Sequence, residues 1–133
     1  MNAPITPELA ASFACEWIEA WNARDLDRIL KHYSRDVEFT SPFVCRILGR
    51  NDNTVRGIAE LRGYFSRALN DYPDLHFVAR RAHAVAQSLI IEYQSVEGRL
   101  VAETMEFDDN GLIMRARVHY APAGLRPEAQ VGL

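Results

Sequence analysis

The chain has 133 residues, 48% of them hydrophobic and 25% charged, with a formal net charge of −3. This is the composition of an ordinary soluble globule, long enough to bury a core without disulfides or metal. The slight acidity and the lack of a basic run exclude an electrostatic footprint for nucleic acid, and no apolar run approaches the roughly 18 residues of a membrane span.

The opening MNAPITPE lacks the basic and apolar regions of a secretion signal. Cys15 and Cys45 stand far apart without metal-ligand spacing, so two free thiols in a reducing cytoplasm are expected. Thr6-Pro7-Glu8 is a good helix start: a capping hydroxyl, a proline for the first turn, and an acid favoured by the helix dipole. Leu9, Phe13, Trp17 and Trp21 follow at four-residue spacing beside Ala10, Ala14 and Ile18, giving one broad apolar face. Asn22-Ala23-Arg24 breaks that pattern, and Asp25 caps a second helix whose buried face is Leu26, Ile29, Leu30 and Tyr33.

Val37 to Ser41 alternates as a short strand with Val37, Phe39 and Ser41 inward, and Pro42 ends it because proline has no ladder donor. Residues 43–57 read as a long irregular connection, with Gly49, Asn51, Asp52, Asn53 and Gly57 as turn formers. Ile58, Leu61, Tyr64, Phe65, Ala68 and Leu69 then specify a third helix that stops near Asn70-Asp71-Tyr72-Pro73.

After Pro73 the period changes to that of strands. Leu75 to about Val85 is a second strand with Leu75, Phe77 and Ala79 on one face, and Ser88 to Val96 is a third. Glu97-Gly98 turns into a fourth, Arg99 to Phe107, and Asn110-Gly111 is a hairpin turn into a fifth, Leu112 to Tyr120. One domain over 1–133 is expected, with a structured core of about 6–121 and a tail over 122–133. The fold class is α+β: a strongly curved, mostly antiparallel sheet whose concave face is covered by three helices from the N-terminal half.

Within the fourth strand Val101, Glu103, Met105 and Phe107 share one face, apolar except for a single carboxylate. Such a group must be neutral, paired or facing a cavity. The plain alternatives are a structural pair with an arginine, or a face that meets solvent. Buried and unpaired, Glu103 has a raised pKa and acts as a general acid or hydrogen-bond donor. On the last strand Met114, Ala116, Val118 and Tyr120 take the inward parity, leaving Arg115, Arg117 and His119 outward. Glu92 and Glu106 are expected to pair with these arginines. Arg46, Arg50 and Arg56 are candidates for drawing an anionic substrate, although a solvated loop is the plainer reading.

The segment Trp17 to Asp36, WIEAWNARDLDRILKHYSRD, is a helix, an N-x-x-D-L link, a second helix, an aromatic residue and an acid. With Val37 to Pro42, Arg56-Gly57-Ile58 and the terminal sheet, it resembles the nuclear transport factor 2-like superfamily, which includes the SnoaL-like cyclases and ketosteroid isomerases. The resemblance covers about 6–121 and rests on the ordered set rather than on any one motif. It implies a cone-shaped fold with a deep apolar pocket between sheet and helices, commonly assembled as a dimer through the outer sheet face.

In the ketosteroid isomerases a carboxylate base precedes the proline that ends the first strand, and here Ser41 holds that place. Their first-helix oxyanion tyrosine corresponds to Trp17, their third-helix tyrosine to Phe65, and a second-helix aromatic to Tyr33. Their protonated acid, kept neutral near pH 7 by an apolar site, corresponds to Glu103. The resemblance thus implies Glu103 and Tyr33 as catalytic residues. The substrate would be lined by Trp17, Ser41, Phe39, Phe65, Val101, Met105, Ala116 and Val118. No metal or cofactor is expected. The histidine-based sites of other members would have to draw on His32, His76, His83 or His119, none of which adjoins an acid on an inward face. Two functions follow: a cofactor-independent isomerase, cyclase or lyase acting on a small apolar carbonyl compound, or a non-catalytic module binding a hydrophobic small molecule.

Overall fold

Residues 3–122 are described by a computed structural model; apart from Pro122, the expected tail over 122–133 lies outside the described residues. Helix α1 (Pro7–Asn22) begins at Thr6, whose hydroxyl accepts from the Leu9 amide at 3.1 Å. Trp17 and Trp21 are buried on its inner face, but Leu9 is 59% exposed and borders an open surface groove with Ile5 and Phe13. Asp25 caps α2 (Leu26–Leu30) by accepting from the Arg28 amide at 3.1 Å.

The second helix stops earlier than its apolar spacing predicts. Tyr33 opens strand β1 (Tyr33–Thr40) instead of closing the helix face. The Ile113 amide donates to the His32 carbonyl at 2.8 Å, and Tyr33 pairs in register with Ile113. Sheet pairing therefore overrides the local period.

Residues 43–57 hold two further elements where an irregular connection was expected. Helix α3 (Pro42–Leu48) starts at Ser41, whose Oγ accepts from the Phe43 amide at 3.2 Å, and ends at Gly49 in the left-handed region. That end suits glycine, which carries no Cβ to clash there. Strand β2 (Thr54–Arg56) then pairs antiparallel with β1. Of the loop arginines, Arg50 is held by Asp52 and Glu60 and Arg56 by Glu38, while Arg46 lies over the Phe43 ring.

Helix α4 (Ile58–Asp71) follows, and then β3 (Val78–Val85), β4 (Ser88–Gln94), a one-turn 3-10 helix (Val96–Gly98), β5 (Leu100–Phe107) and β6 (Ile113–Tyr120). The fold is α+β, with four α-helices and a six-stranded curled sheet in the order β2-β1-β6-β5-β4-β3. Every neighbouring pair is antiparallel except β1 with β6. Helix α1 lies against β3 and α4 against β1, closing the inner face. No helix among the described residues is long and apolar enough to cross a membrane.

Two β-bulges change the expected parity. A register shift between Ala79 and Arg81 leaves Ala79 exposed and turns Ala82 and Ala84 toward the core. Another at Glu106/Phe107 buries Ile113 and Ala116 three apart and leaves Met114 43% exposed. On the outer face Arg115 pairs with Glu106 at 3.1 Å, whereas Glu92 takes His83 at 2.6 Å rather than an arginine.

Asn22, the first residue of the N-x-x-D-L link, fixes the approach to β3. Its side-chain amide donates to the Phe77 carbonyl at 2.9 Å and accepts from the Phe77 amide at 2.7 Å. This pair holds Phe77 inward from an extended segment that has no sheet partner. Asn22→Ala should cost about 1–3 kcal/mol in urea unfolding, because both Phe77 backbone groups lose their partner; an unchanged midpoint would refute that role.

Candidate functional site

Strand β5 lies in the interior of the sheet, and Glu103 stands near its centre, opposite Ile91 on β4 and Val118 on β6. It is 2% exposed. Tyr93, two residues along from Ile91 on the same face of β4, donates its hydroxyl to Glu103 Oε1 at 2.7 Å. Glu103 Oε2 is buried with no partner.

Among the described residues no arginine neutralises this carboxyl. Burial pushes its pKa from 4.5 up to about 8, and the Tyr93 hydrogen bond pulls it down by less. The group is therefore mostly protonated at pH 7. With Oε1 accepting from Tyr93, the proton belongs on Oε2, the oxygen left unpartnered.

Glu103 lines a cavity of about 50 Å³ enclosed by α1, α3, α4 and the sheet. Trp17, Phe39, Ser41, Phe65 and Val118 line it too, so six of the expected site residues meet there. Trp17 stacks on Phe77 at 5.7 Å, and Trp21 meets Phe65 edge-on at 4.7 Å. The Trp21 indole N–H is a second buried polar atom without a partner in the same wall. A donor and a carboxyl oxygen left unpartnered in the wall of one cavity are groups that a ligand or water could satisfy.

The other expected residues lie elsewhere. Tyr33 sits behind the wall, where its hydroxyl accepts from Trp17 Nε1 at 3.1 Å; it holds the indole in place and is not among the lining residues. Met105 and Ala116 face each other in the fully packed core beyond Glu103, and Val101 pairs with Tyr93 and Tyr120 at the strand end without lining the cavity. Ser41 lines the cavity, but its hydroxyl caps α3, and no histidine lies in the lining to activate it.

Residues that the sequence reading had not assigned to the site complete it. Tyr64, Tyr72, Tyr93 and Tyr120, four of the five tyrosines in the chain, line the cavity with Phe43, Ile47 and Phe77. Burial raises the phenols of Tyr64, Tyr93 and Tyr120, so they act as neutral donors and acceptors. Tyr93 had a signal: the Glu97-Gly98 turn fixes the hairpin register and places it diagonally from Glu103. Phe43 was hidden by reading its helix as loop.

None of the four histidines lines the cavity; His32 meets Glu16 at 3.4 Å beside α1. Among the described residues no three His, Cys, Asp or Glu side chains gather as a metal site requires.

The carboxyl has a consequence for stability. Between pH 4.5 and about 8 the folded protein holds a proton that the unfolded chain releases. This contribution is fully present below pH 4.5 and is lost as pH rises through 8, at up to ~1.4 kcal/mol per pH unit. In urea unfolding across that window, the advantage of Glu103→Gln over the native chain should grow with pH. A difference independent of pH would show that Glu103 is ionised or exposed in the folded state.

Comparison with known proteins places this geometry in context. A family model for the SnoaL-like domain matches residues 14–128. A SnoaL-like protein of unknown function from Burkholderia thailandensis is 39% identical, with a TM-score of 0.85, covering 90% of this chain and 100% of that one. A candidate ketosteroid isomerase from Kribbella flavida shares the fold at 17% identity and a TM-score of 0.66, covering 92% of this chain and 85% of that one. A candidate hydroxylase from Streptomyces galilaeus does so at 20% identity and a TM-score of 0.66, covering 86% and 80% respectively. Comparison with curated proteins finds no match. The curled sheet and the helices that close over it match a SnoaL-like protein: the chain belongs to the SnoaL-like family, with the cone-like fold of the nuclear transport factor 2-like superfamily.

Proposed function

We propose that this protein is a cofactor-independent isomerase, cyclase or lyase that takes a small, mostly apolar carbonyl compound. The observation that carries this reading is the buried, neutral Glu103 carboxyl in the cavity wall, with one oxygen left without a partner. Its O–H donates to the substrate carbonyl oxygen. As a neighbouring C–H loses its proton, charge builds on that oxygen, and the hydrogen bond strengthens in a site shielded from water. Tyr93 fixes the carboxyl from the other side, and Trp17, itself held by Tyr33, forms one wall. With no histidine in the lining to activate Ser41, the proton acceptor is a water or a group of the substrate.

Deuterium exchange next to the carbonyl of small ketones, followed by NMR, tests this directly. Glu103→Gln should slow the protein-catalysed exchange by about 10²–10³-fold, the usual cost of one oxyanion donor. The rival reading is a binding module for a hydrophobic small molecule, in which Glu103 anchors one polar group. Exchange at the buffer rate, with ketone binding still visible in the protein spectrum, would decide for that module.

The same reading takes the chain as one SnoaL-like domain that pairs with a second copy through the outer sheet face. Half-buried Ile90 and exposed Arg117 both lie on that face. Arg117→Glu should convert a dimer to a monomer in sizing experiments, and an unchanged elution volume would contradict the interface.

A further inference from the structure

Of the residues lining the cavity, Tyr72, Leu75, Val118 and Tyr120 are the partly exposed ones, so its mouth lies among them. Phe43, from α3, is sandwiched there between two rings. It stacks on Tyr120 at 5.0 Å and 15°, and on Tyr72 at 5.8 Å and 22°. Two guanidinium groups lie over this stack: Arg46 at 4.9 Å from the Phe43 ring centre, and Arg99 at 4.6 Å from that of Tyr120 and 6.0 Å from that of Phe43. Both arginines are exposed, and neither is within ion-pair distance of a carboxylate among the described residues. Arg50, Arg56 and Arg115, by contrast, are all taken up by acids. Arg46 and Arg99 thus present unspent donor forks at the opening of an otherwise uncharged cavity, a geometry suited to a planar carboxylate.

Size points the same way. A cavity that binds benzene measures about 150 Å³, and this one holds about 50 Å³. It admits a carbonyl head and little more, so the rest of a ligand must lie in the mouth, against the rings and under the arginines. The adjoining depression carries Asp71, Asp74 and Glu97, which disfavour a dianion more than a monoanion.

We propose that Arg46 and Arg99 form a carboxylate-recognition site at the cavity mouth, and that the substrate class is a short oxo acid whose carbonyl meets Glu103. The proposal rests on the reading above that a carbonyl oxygen occupies the Glu103 end. Phe43 and Tyr120 hold the two guanidiniums in place, and the distance between the two ends selects chain length.

The test is an NMR titration of levulinate and its next two longer homologues. Each is compared with the methyl ketone in which a methyl replaces the carboxylate. At least one oxo acid should bind the native chain about tenfold more tightly than its neutral counterpart. Arg46→Gln with Arg99→Gln should erase that preference while leaving the neutral ketone bound as before, and both positions are exposed enough for the fold to tolerate the change. Glu103→Gln should weaken acid and ketone alike. Equal binding of acid and ketone to the native chain, still weakened by Glu103→Gln, would overturn the carboxylate site and leave the carbonyl reading standing. Binding of neither in a Glu103-dependent manner would overturn both.

Discussion

The Tyr93–Glu103 hydrogen bond is the constraint around which this fold is arranged. A carboxyl in the middle of an interior strand is cut off from bulk water, and no basic side chain among the described residues reaches it. It persists because it is neutral and because one oxygen is satisfied by a phenol from the neighbouring strand. The other oxygen cannot be packed against methyl groups without a desolvation cost on the order of 1–3 kcal/mol. It lies in the wall of a cavity that the aromatic side chains of α1, α3 and α4 keep narrow.

In the proposed reaction, that arrangement separates hydrogen-bond donation from proton abstraction. Hydrogen-bond donation is built deep in the sheet, on strands whose register is fixed on both sides. Proton abstraction has no comparable provision: Ser41 stands where a base would be expected from the family resemblance, and its hydroxyl begins α3. The same local sequence, Ser41-Pro42, supplies the cap and first-turn proline of a helix start. The helix it starts brings Phe43 and Ile47 into the cavity wall and Arg46 to its mouth.

Much of this was legible in the residues. Thr6 and Asp25 marked their helix starts, strand alternation located β4 to β6, and the one acid on an apolar face singled out Glu103. What escaped depended on long-range pairing. Tyr33 fits the face of α2 by spacing, yet a partner strand eighty positions away draws it into β1. Met114 and Ala79 follow alternation until bulges shift the register, and a bulge leaves no periodic trace. Helix α3 was obscured by its surroundings: two turns among glycine and asparagine read as loop, although Ser41-Pro42 and the spacing of Val44 and Ile47 carried its signal. The Trp21 indole was visible as an apolar helix position, but its unpartnered N–H is a property of the packed state alone.

Carbon-13 NMR of the Glu103 side-chain carboxyl, followed from pH 4 to 10 in the intact protein, reports its ionisation directly. The midpoint should lie near 8, with the neutral acid dominant at pH 7. A midpoint near the ordinary 4.5 would mean an ionised carboxylate in the cavity, and the donor role assigned to Glu103 would not survive it.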